Sequence, residues 1–386
     1  MKNIVFISSR YPLPIVRGDQ LILFNRIVEF HKLNYNVKLI VLSNRIDIDH
    51  DSICQIEKYC QVDFVPPKLV DYLMAVLEFV INKIPFQVAI FPQNLSLLKY
   101  KNADSYDIAY SFLSRTGLAL FSINSKIKVC EFIDSLGKNF NERFKRSRGL
   151  AKLIYKFESA RMIKYEKKLA DSINLSITVS ENDAIEISKS ANMLVIPNGV
   201  DLEKFTINKV RDNNLLIFSG NLGYLPNKEA VVWFIPVYKE IRRINPNIKL
   251  KIVGSDPYNL KDKYPNIDGL SFTGYVEDLG AEISAGSISI APIFTATGIQ
   301  NKVLEALACG LTVVATSKVC EPLDNNVSKI ILKADTAEQF VEHIHNVVKN
   351  NLFFDAQFTR KLVSDTYCWR NGALKIHSKI EGILKS

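Results

Sequence analysis

Two apolar periods share this chain between them. Short, largely apolar runs recur at Ile4–Ile7, Val37–Leu42, Ile108–Tyr110, Val129–Ile133, Ile177–Val179 and Leu194–Ile196. Between them lie longer stretches with helical spacing. Over Gln20–Leu33 the residues Leu21, Phe24, Ile27, Val28 and Leu33 fall in phase, and similar patterns cover about 148–170 and Glu181–Ser190. The period-2 or continuous runs predict buried strands, and the 3.6-period stretches predict helices. After Pro197-Asn198-Gly199-Val200-Asp201 the pattern starts again. Strands are predicted at Leu215–Phe218, Lys249–Val253, Leu270–Phe272, Ser287–Pro292, Thr312–Ala315 and Lys329–Leu332. Helices are predicted from an N-cap at Asn227 to Arg243, with a kink at Pro236, then over Ala337–Val348 and Trp369–Leu384. Strand–helix alternation of this kind implies parallel sheets with helices on both faces, an α/β class.

A chain of 386 residues is too long for one core and suits two. The restart places the domains at 1–200 and 201–365, with 366–386 as a closing helix.

The segment richest in chemistry is Thr297-Gly298-Ile299-Gln300-Asn301-Lys302-Val303-Leu304-Glu305-Ala306-Leu307-Ala308-Cys309-Gly310. Glycine opens it and glycine closes it. Val303, Leu304, Leu307 and Ala308 recur at helical spacing, and Gly310 stands where a C-cap is expected. A glycine loop feeding a helix N-terminus binds anions, because free N–H groups and the helix dipole point the same way. Lys302 adds a point charge suited to phosphate. Glu305, one turn on, can accept hydrogen bonds from vicinal sugar hydroxyls. Together they describe a site for a nucleoside diphosphate sugar.

These residues resemble the donor-binding signature of the family 4 (group 1) glycosyltransferases, of bacterial cell-surface polysaccharide type. The resemblance implies the GT-B fold: two Rossmann-like doubly wound domains facing each other across a cleft. Many members carry two glutamates spaced E-x7-E, and here the first position is Thr297. A subset of bacterial sugar transferases has the same G-x-Q-N-K-x-L-E-A run without that glutamate. The segment 197–201 resembles the interdomain stretch of these enzymes. Gly220, with Pro226-Asn227 behind it, resembles their first C-domain loop, with Asn221 where others carry a basic residue. The donor-binding set implied is Gly18, Gly220, Asn221, Gly254, Tyr275, Val276, Gly298, Ile299, Gln300, Asn301, Lys302 and Glu305. The resemblance also implies retention of configuration and a closing helix that packs back on the N-domain.

Other positions keep two readings. Gly18, in Arg17-Gly18-Asp19, is a loop that lets backbone approach the sugar, or a plain turn with Asp19 as N-cap. Asp134 sits where many relatives carry a histidine facing the donor sugar. It is a catalytic candidate beside Lys302 and Glu305, or a strand-end cap. Arg115 reaches the acceptor or sits on the surface, and the surface reading is preferred. No GxGxxG follows Ile4–Ile7, which argues against a nicotinamide-binding domain. The triplet Asp47-Ile48-Asp49 reads as a solvated loop, and the five histidines form no ligand cluster. No metal and no cofactor beyond the donor substrate are therefore expected.

Charge adds one feature. The net charge is +9, and residues 138–168 hold 11 basic and 3 acidic side chains, or +8. Within that segment Leu150, Leu153, Ile154, Phe157 and Ala160 form one stripe. Arg143, Lys145, Arg146, Arg148, Lys152 and Lys156 line a basic patch. A basic amphipathic helix suits an anionic membrane surface, or is a sheet-packed helix with a solvated face. Nucleic acid is excluded as a partner because no RNP, zinc or helix-turn-helix signature accompanies the charge. The six cysteines are scattered without a CxxC pair, which argues for a reducing compartment. No signal peptide or membrane span is expected, since the apolar run near Leu69–Val80 is broken by Asp71 and Glu78. The expectation is a cytoplasmic protein, peripheral on the inner face of the membrane. It would transfer sugar to a hydroxyl of a glycan or polyprenyl-linked acceptor. Two rivals are a GT-B epimerase or hydrolase and a non-catalytic sugar-nucleotide or glycan binder.

Overall fold

The computed structural model describes the chain except residues 44–47, 92–96, 102–104, 189–191, 296–297 and 386, and the side chain at 146. The chain divides into two compact units, 1–197 with 372–386, and 198–371.

The first unit is built on a seven-stranded sheet. Its strands are β1 (Lys2–Ser8), β2 (Tyr35–Val41), β3 (Gln61–Phe64), β4 (Tyr106–Phe112), β5 (Ser125–Ile133), β6 (Leu175–Thr178) and β7 (Met193–Val195). They run in the order β3-β2-β1-β4-β5-β6-β7, all parallel. The central strand β1 has Ile4, Val5, Phe6 and Ile7 fully buried, as expected of a strand covered on both faces. Beneath it Arg26 forms a buried ion pair with Glu131 at 3.0 Å, and Tyr110 donates to the same carboxylate at 2.5 Å.

The second unit holds a six-stranded parallel sheet. It comprises β8 (Asp212–Ser219), β9 (Lys249–Val253), β10 (Leu270–Phe272), β11 (Gly286–Ala291), β12 (Thr312–Ala315) and β13 (Ile331–Lys333). The order is β10-β9-β8-β11-β12-β13. In both sheets successive crossovers leave in opposite directions from the middle, at β1/β4 and at β8/β11. Such switch points open a crevice at the carboxyl ends of the strands, where α/β proteins bind ligands.

Several elements differ from expectation. β3 has too short an apolar run to stand out in the sequence. The helix expected from Asn227 spans Leu225–Ile244, with Tyr224 at the N-cap and Asn227 buried inside the first turn. It continues through Pro236. The carbonyl of Val232, which the proline cannot pair, belongs to an exposed residue that water can satisfy. Residues 325–329 are helical, so the strand expected from Lys329 begins at Ile331. The tail holds two helices, Ala356–Tyr367 and Trp369–Lys385. The first unit claims the tail from Gly372 onward. There His377 Nδ1 meets the Tyr35 hydroxyl at 2.7 Å, Glu381 pairs with Lys2, and Gly372 leaves room for the Arg26 guanidinium.

Candidate functional site

In the second unit, glycines stand at the carboxyl ends of adjacent strands. Gly220 follows β8 with φ +149° and Gly254 follows β9 with φ +131°. A Cβ on Gly254 would lie 2.4 Å from the Gly220 carbonyl oxygen, so the two loops pack backbone on backbone. Gly254 N donates to the Gly274 carbonyl at 3.1 Å, which brings the loop bearing Tyr275 and Val276 alongside. Tyr275 is 79% exposed, whereas Val276 rests on the core. Asn221 spends its side-chain oxygen on Gly223 N at 2.7 Å, so it shapes its own turn.

The glycine-bounded segment folds into the helix Asn301–Ala308. Its end is a Schellman motif: Leu311 N reaches Ala306 O, Gly310 N reaches Leu307 O, and Gly310 takes φ +73°. Cys309 is therefore the C-cap, and Gly310 is the residue after it. The N-terminus carries no side-chain cap. Gly298 has φ +70° and open space where its Cβ would stand. Ile299 packs on the core. Gln300 occupies the N-cap position, and Asn301 Oδ1 accepts from Asn198 Nδ2 at 3.4 Å. Thr297 lies outside the described residues.

Lys302 turns inward beneath the glycine loops. It is 9% exposed, its Nζ lies 2.6 Å from Asn227 Oδ1 and 4.2 Å from the centroid of the Phe218 ring. A Cβ on Gly220 would fall 2.7 Å from that Nζ. Asn227 is fixed in turn, its amide donating to the Asn221 carbonyl at 2.9 Å. Burial pushes the lysine pKa down to about 7, with the charge of Glu305 opposing. Burial likewise pushes the half-buried Glu305 up to about 7, with Lys302 and Lys204 opposing. The two groups are coupled, and the direction for each is toward the neutral form. An incoming anion reverses this for the lysine, because it supplies the charge that burial lacks. Phe218 carries no chemical signature in sequence, and Asn227 stands out there only as an N-cap and as part of the loop behind Gly220, not as a partner of Lys302. Their contacts with the lysine come only through the fold.

In the first unit the carboxyl ends of β4 and β5 show the same kind of construction. Leu113 and Ile133 adopt φ +71° and +66°. For an apolar side chain, and above all for a β-branched one, this is backbone strain, which concentrates at functional sites. Ile133 turns the chain into Asp134, whose carboxylate accepts from Asn139 Nδ2 at 2.8 Å. Burial, with Asp183 adding, raises the Asp134 pKa, while Arg115 opposes. Arg115 is half-buried with its Nε unpaired, which corrects the surface reading. Burial lowers its pKa, Arg10 and Arg17 add to this, and Asp19 and Asp134 oppose. Arg10 Nη1 donates to Asp19 at 2.8 Å. Gly18 opens the helix Gly18–Lys32, but Arg17 holds the N-cap position, so Asp19 is an ion-pair partner and not the cap.

A buried glutamate locks this edge. Glu166 accepts from Ser114 Oγ at 2.9 Å, Ser135 Oγ at 3.0 Å, Leu136 N at 3.0 Å and Gly137 N at 3.2 Å. It ties the loops after β4 and β5 together, and nothing in its sequence context announced this. Burial raises its pKa to about 7 against those four bonds.

Residues 213–350, which supply Gly220, Asn227, Gly254 and Lys302, match the family described as glycosyl transferases group 1. The match lies wholly within the second unit. The fold of the chain is GT-B, and solved structures resemble it over nearly their whole length. The HepE protein of Anabaena, crystallised with UDP, has a TM-score of 0.68 at 14% identity, covering 99% of this chain and 100% of that one. Sucrose-phosphate synthase of Thermosynechococcus elongatus has a TM-score of 0.68 at 14% identity, covering 100% of both. A G117R variant of TarM from S. aureus, crystallised with UDP, fondaparinux and α-GlcNAc-glycerol, has a TM-score of 0.67 at 11% identity, covering 98% of this chain and 100% of that one. No curated protein sequence matches the chain.

The remaining candidates fall as follows. In the first unit, Arg143, Lys145, Arg148, Lys152 and Lys156 are all exposed. The Arg146 side chain lies outside the described residues. The stripe Leu150, Leu153, Ile154 and Phe157 is exposed too, so this part of the helix Gly149–Ser172 does not cover the sheet. Asp47 is outside the described residues, and Asp49 caps the helix His50–Glu57 through Ser52 N at 2.7 Å. Among the described residues no group of three or more His, Cys, Asp or Glu could hold a metal, and no helix is long and apolar enough to cross a membrane.

Proposed function

We propose that this chain is a retaining, metal-independent glycosyltransferase. It moves a hexosyl group from a nucleoside diphosphate sugar to a hydroxyl of a glycan or lipid-linked glycan in cell-surface polysaccharide synthesis. The observation that carries the reading is Lys302: a buried lysine held by a neutral amide, at the start of an uncapped helix and against the Gly220 loop. A diphosphate leaving group places its charge at such a helix N-terminus, and the lysine with the free N–H groups stabilises it as the glycosidic bond breaks.

The remaining roles follow the donor outward. Glu305 accepts from the ribose hydroxyls, and the backbone near Tyr275 and Val276 holds the base. Gly298, Gln300 and Asn301 meet the sugar. Asp134 and Arg115 serve the acceptor hydroxyl, and the backbone at Gly18 approaches the donor sugar. The leaving phosphate takes the acceptor proton on the same face, which retains the anomeric configuration without an enzyme nucleophile. HepE and TarM were crystallised with UDP, which supports a uridine donor for this chain. The exposed basic patch supports an acceptor at an anionic membrane surface, with the enzyme peripheral on its inner face.

The test is a thermal-shift panel of UDP-, GDP- and dTDP-sugars, followed by transfer assays in EDTA with the anomeric proton coupling read by NMR. Stabilisation by one donor class and a retained product are expected. An inverted product, a strict divalent-metal requirement, or free or epimerised sugar formed equally well without acceptor would overturn the proposal.

A further inference from the structure

The helix Leu69–Val80 was expected to be an interrupted apolar run, and in the fold it covers almost nothing. Leu69, Leu73, Val76, Leu77, Val80 and Ile81 are between 50% and 77% exposed. Its acids do not make it an ordinary surface helix. Asp71 is buried and accepts from the backbone N of Lys68 at 2.7 Å, closing the helix start, while Glu78 is half-buried and accepts from Asn82 Nδ2 at 2.7 Å. An isolated apolar face of this size marks an interaction surface.

The helix is bound to the basic helix beside it. Arg161 Nη1 donates to the Phe79 carbonyl at 3.2 Å, and its guanidinium lies 4.3 Å from the centroid of the Phe79 ring. Phe86 N, just past the apolar helix, donates to the Glu158 carboxylate at 3.1 Å. The C-terminal end of Leu69–Val80 therefore meets the helix that carries the exposed Leu150, Leu153, Ile154 and Phe157. A cavity of about 550 Å³ adjoins them, walled by Leu118, Phe121 and Phe157 and rimmed by Lys164 and Lys168.

We propose that Leu69–Val80 is a shallow membrane anchor, lying in the headgroup–acyl boundary of an anionic bilayer while the basic side chains of 138–168 engage the headgroups. Twelve residues are too few to span a bilayer and suit an in-plane helix. Charge selects the lipid over a second copy of this chain. Residues 138–168 carry +8, so a face-to-face pair would oppose two such segments, whereas anionic lipid neutralises them. The proposal deepens the membrane part of the reading above and is independent of its donor chemistry.

The experiment uses the full chain with vesicles of phosphatidylcholine alone or with phosphatidylglycerol. Wild type is expected to sediment with the anionic vesicles and not the neutral ones. The double variant Leu73→Glu with Leu77→Glu should bind at least about 10-fold more weakly, since both side chains would leave the apolar phase. Lys152→Glu with Lys156→Glu should weaken binding and its salt dependence together. All four positions are exposed, so melting temperatures and UDP-sugar thermal shifts should be unchanged; loss of the shift would count against the donor site and not the anchor. Leu73→Trp should be quenched by brominated lipid, against a background of two native tryptophans that lie in the other unit. Wild-type binding unaffected by both double variants, or an unquenched Trp at 73, would refute the anchor. So would a wild-type dimer that Leu73→Glu with Leu77→Glu converts to monomer without altering vesicle binding.

Discussion

Asn227 Oδ1 accepts a hydrogen bond from Lys302 Nζ at 2.6 Å, across 75 positions of sequence. The partner is a neutral amide. It fixes where the lysine points without cancelling its charge, so the electrostatic attraction remains for an anion arriving at the glycine loops. The same burial that depresses the lysine pKa strengthens any ion pair it then makes, because the site is poor in water.

Replacing Lys302 by Ala should lower kcat/KM by on the order of 10²-fold or more, the usual cost of removing a charge that stabilises a leaving group. Asn227→Ala should cost less, about 10-fold, by loosening a lysine that remains present. Steady-state kinetics on variants with native melting curves check both. Activity of Lys302→Ala within twofold of wild type would remove the lysine from the donor site.

Donor binding should take up a proton above pH 7. The free enzyme holds Lys302 near pKa 7, and a bound diphosphate favours its charged form. Calorimetric enthalpies in buffers of different ionisation heat should therefore diverge at pH 8, and affinity should fall as pH rises further. Stability gives an independent check. The folded pKa lies below the unfolded one, so the unfolded chain binds more protons from about pH 7 up to the ordinary lysine range, and stability rises with pH across that window. Lys302→Met should flatten that rise.

The glycines should separate fold from function. Gly254→Ala drives a Cβ into the Gly220 carbonyl from a backbone region closed to side chains, and should destabilise by at least about 2 kcal/mol. Gly298→Ala meets no atom within 4 Å and bears only the left-handed backbone cost, about 1 kcal/mol. Its loss of transfer activity should exceed its loss of stability, because a methyl there enters the space assigned to the sugar. Denaturant melts beside kcat/KM for each variant decide this, and a Gly298→Ala enzyme with full activity would clear that space of substrate.

Glu166→Gln should change the pH dependence of stability. The folded carboxyl titrates near 7, above its unfolded value, so its stabilising contribution is full below the ordinary glutamate pKa and is lost as pH rises through 7. The amide keeps an oxygen for some of the four donors but cannot ionise. Urea melts from pH 5 to 8 should show a shallower decline for the variant. An unchanged slope would mean that Glu166 stays ionised throughout.

Much of this protein is local and could be read from the chain. The helix Asn301–Ala308 shows in sequence because its signals are neighbours: a glycine before it, apolar residues at helical spacing, and Gly310 in the left-handed residue that ends it. The β strands show where they are central, since a strand buried on both faces must be apolar throughout, as Ile4–Ile7 is. An edge strand carries no such demand, and Gln61–Phe64, at one edge of the first sheet and interrupted by Asp63, does not stand out in the sequence. What the fold alone decided are meetings between distant residues: Lys302 with Asn227 and Phe218, Glu166 with Ser114 and Ser135, Arg115 beside Asp134. It also decided which apolar surface goes uncovered. An apolar run reads the same in sequence whether it is to be buried or left bare, and only the packing of the rest of the chain leaves Leu69–Val80 on the outside.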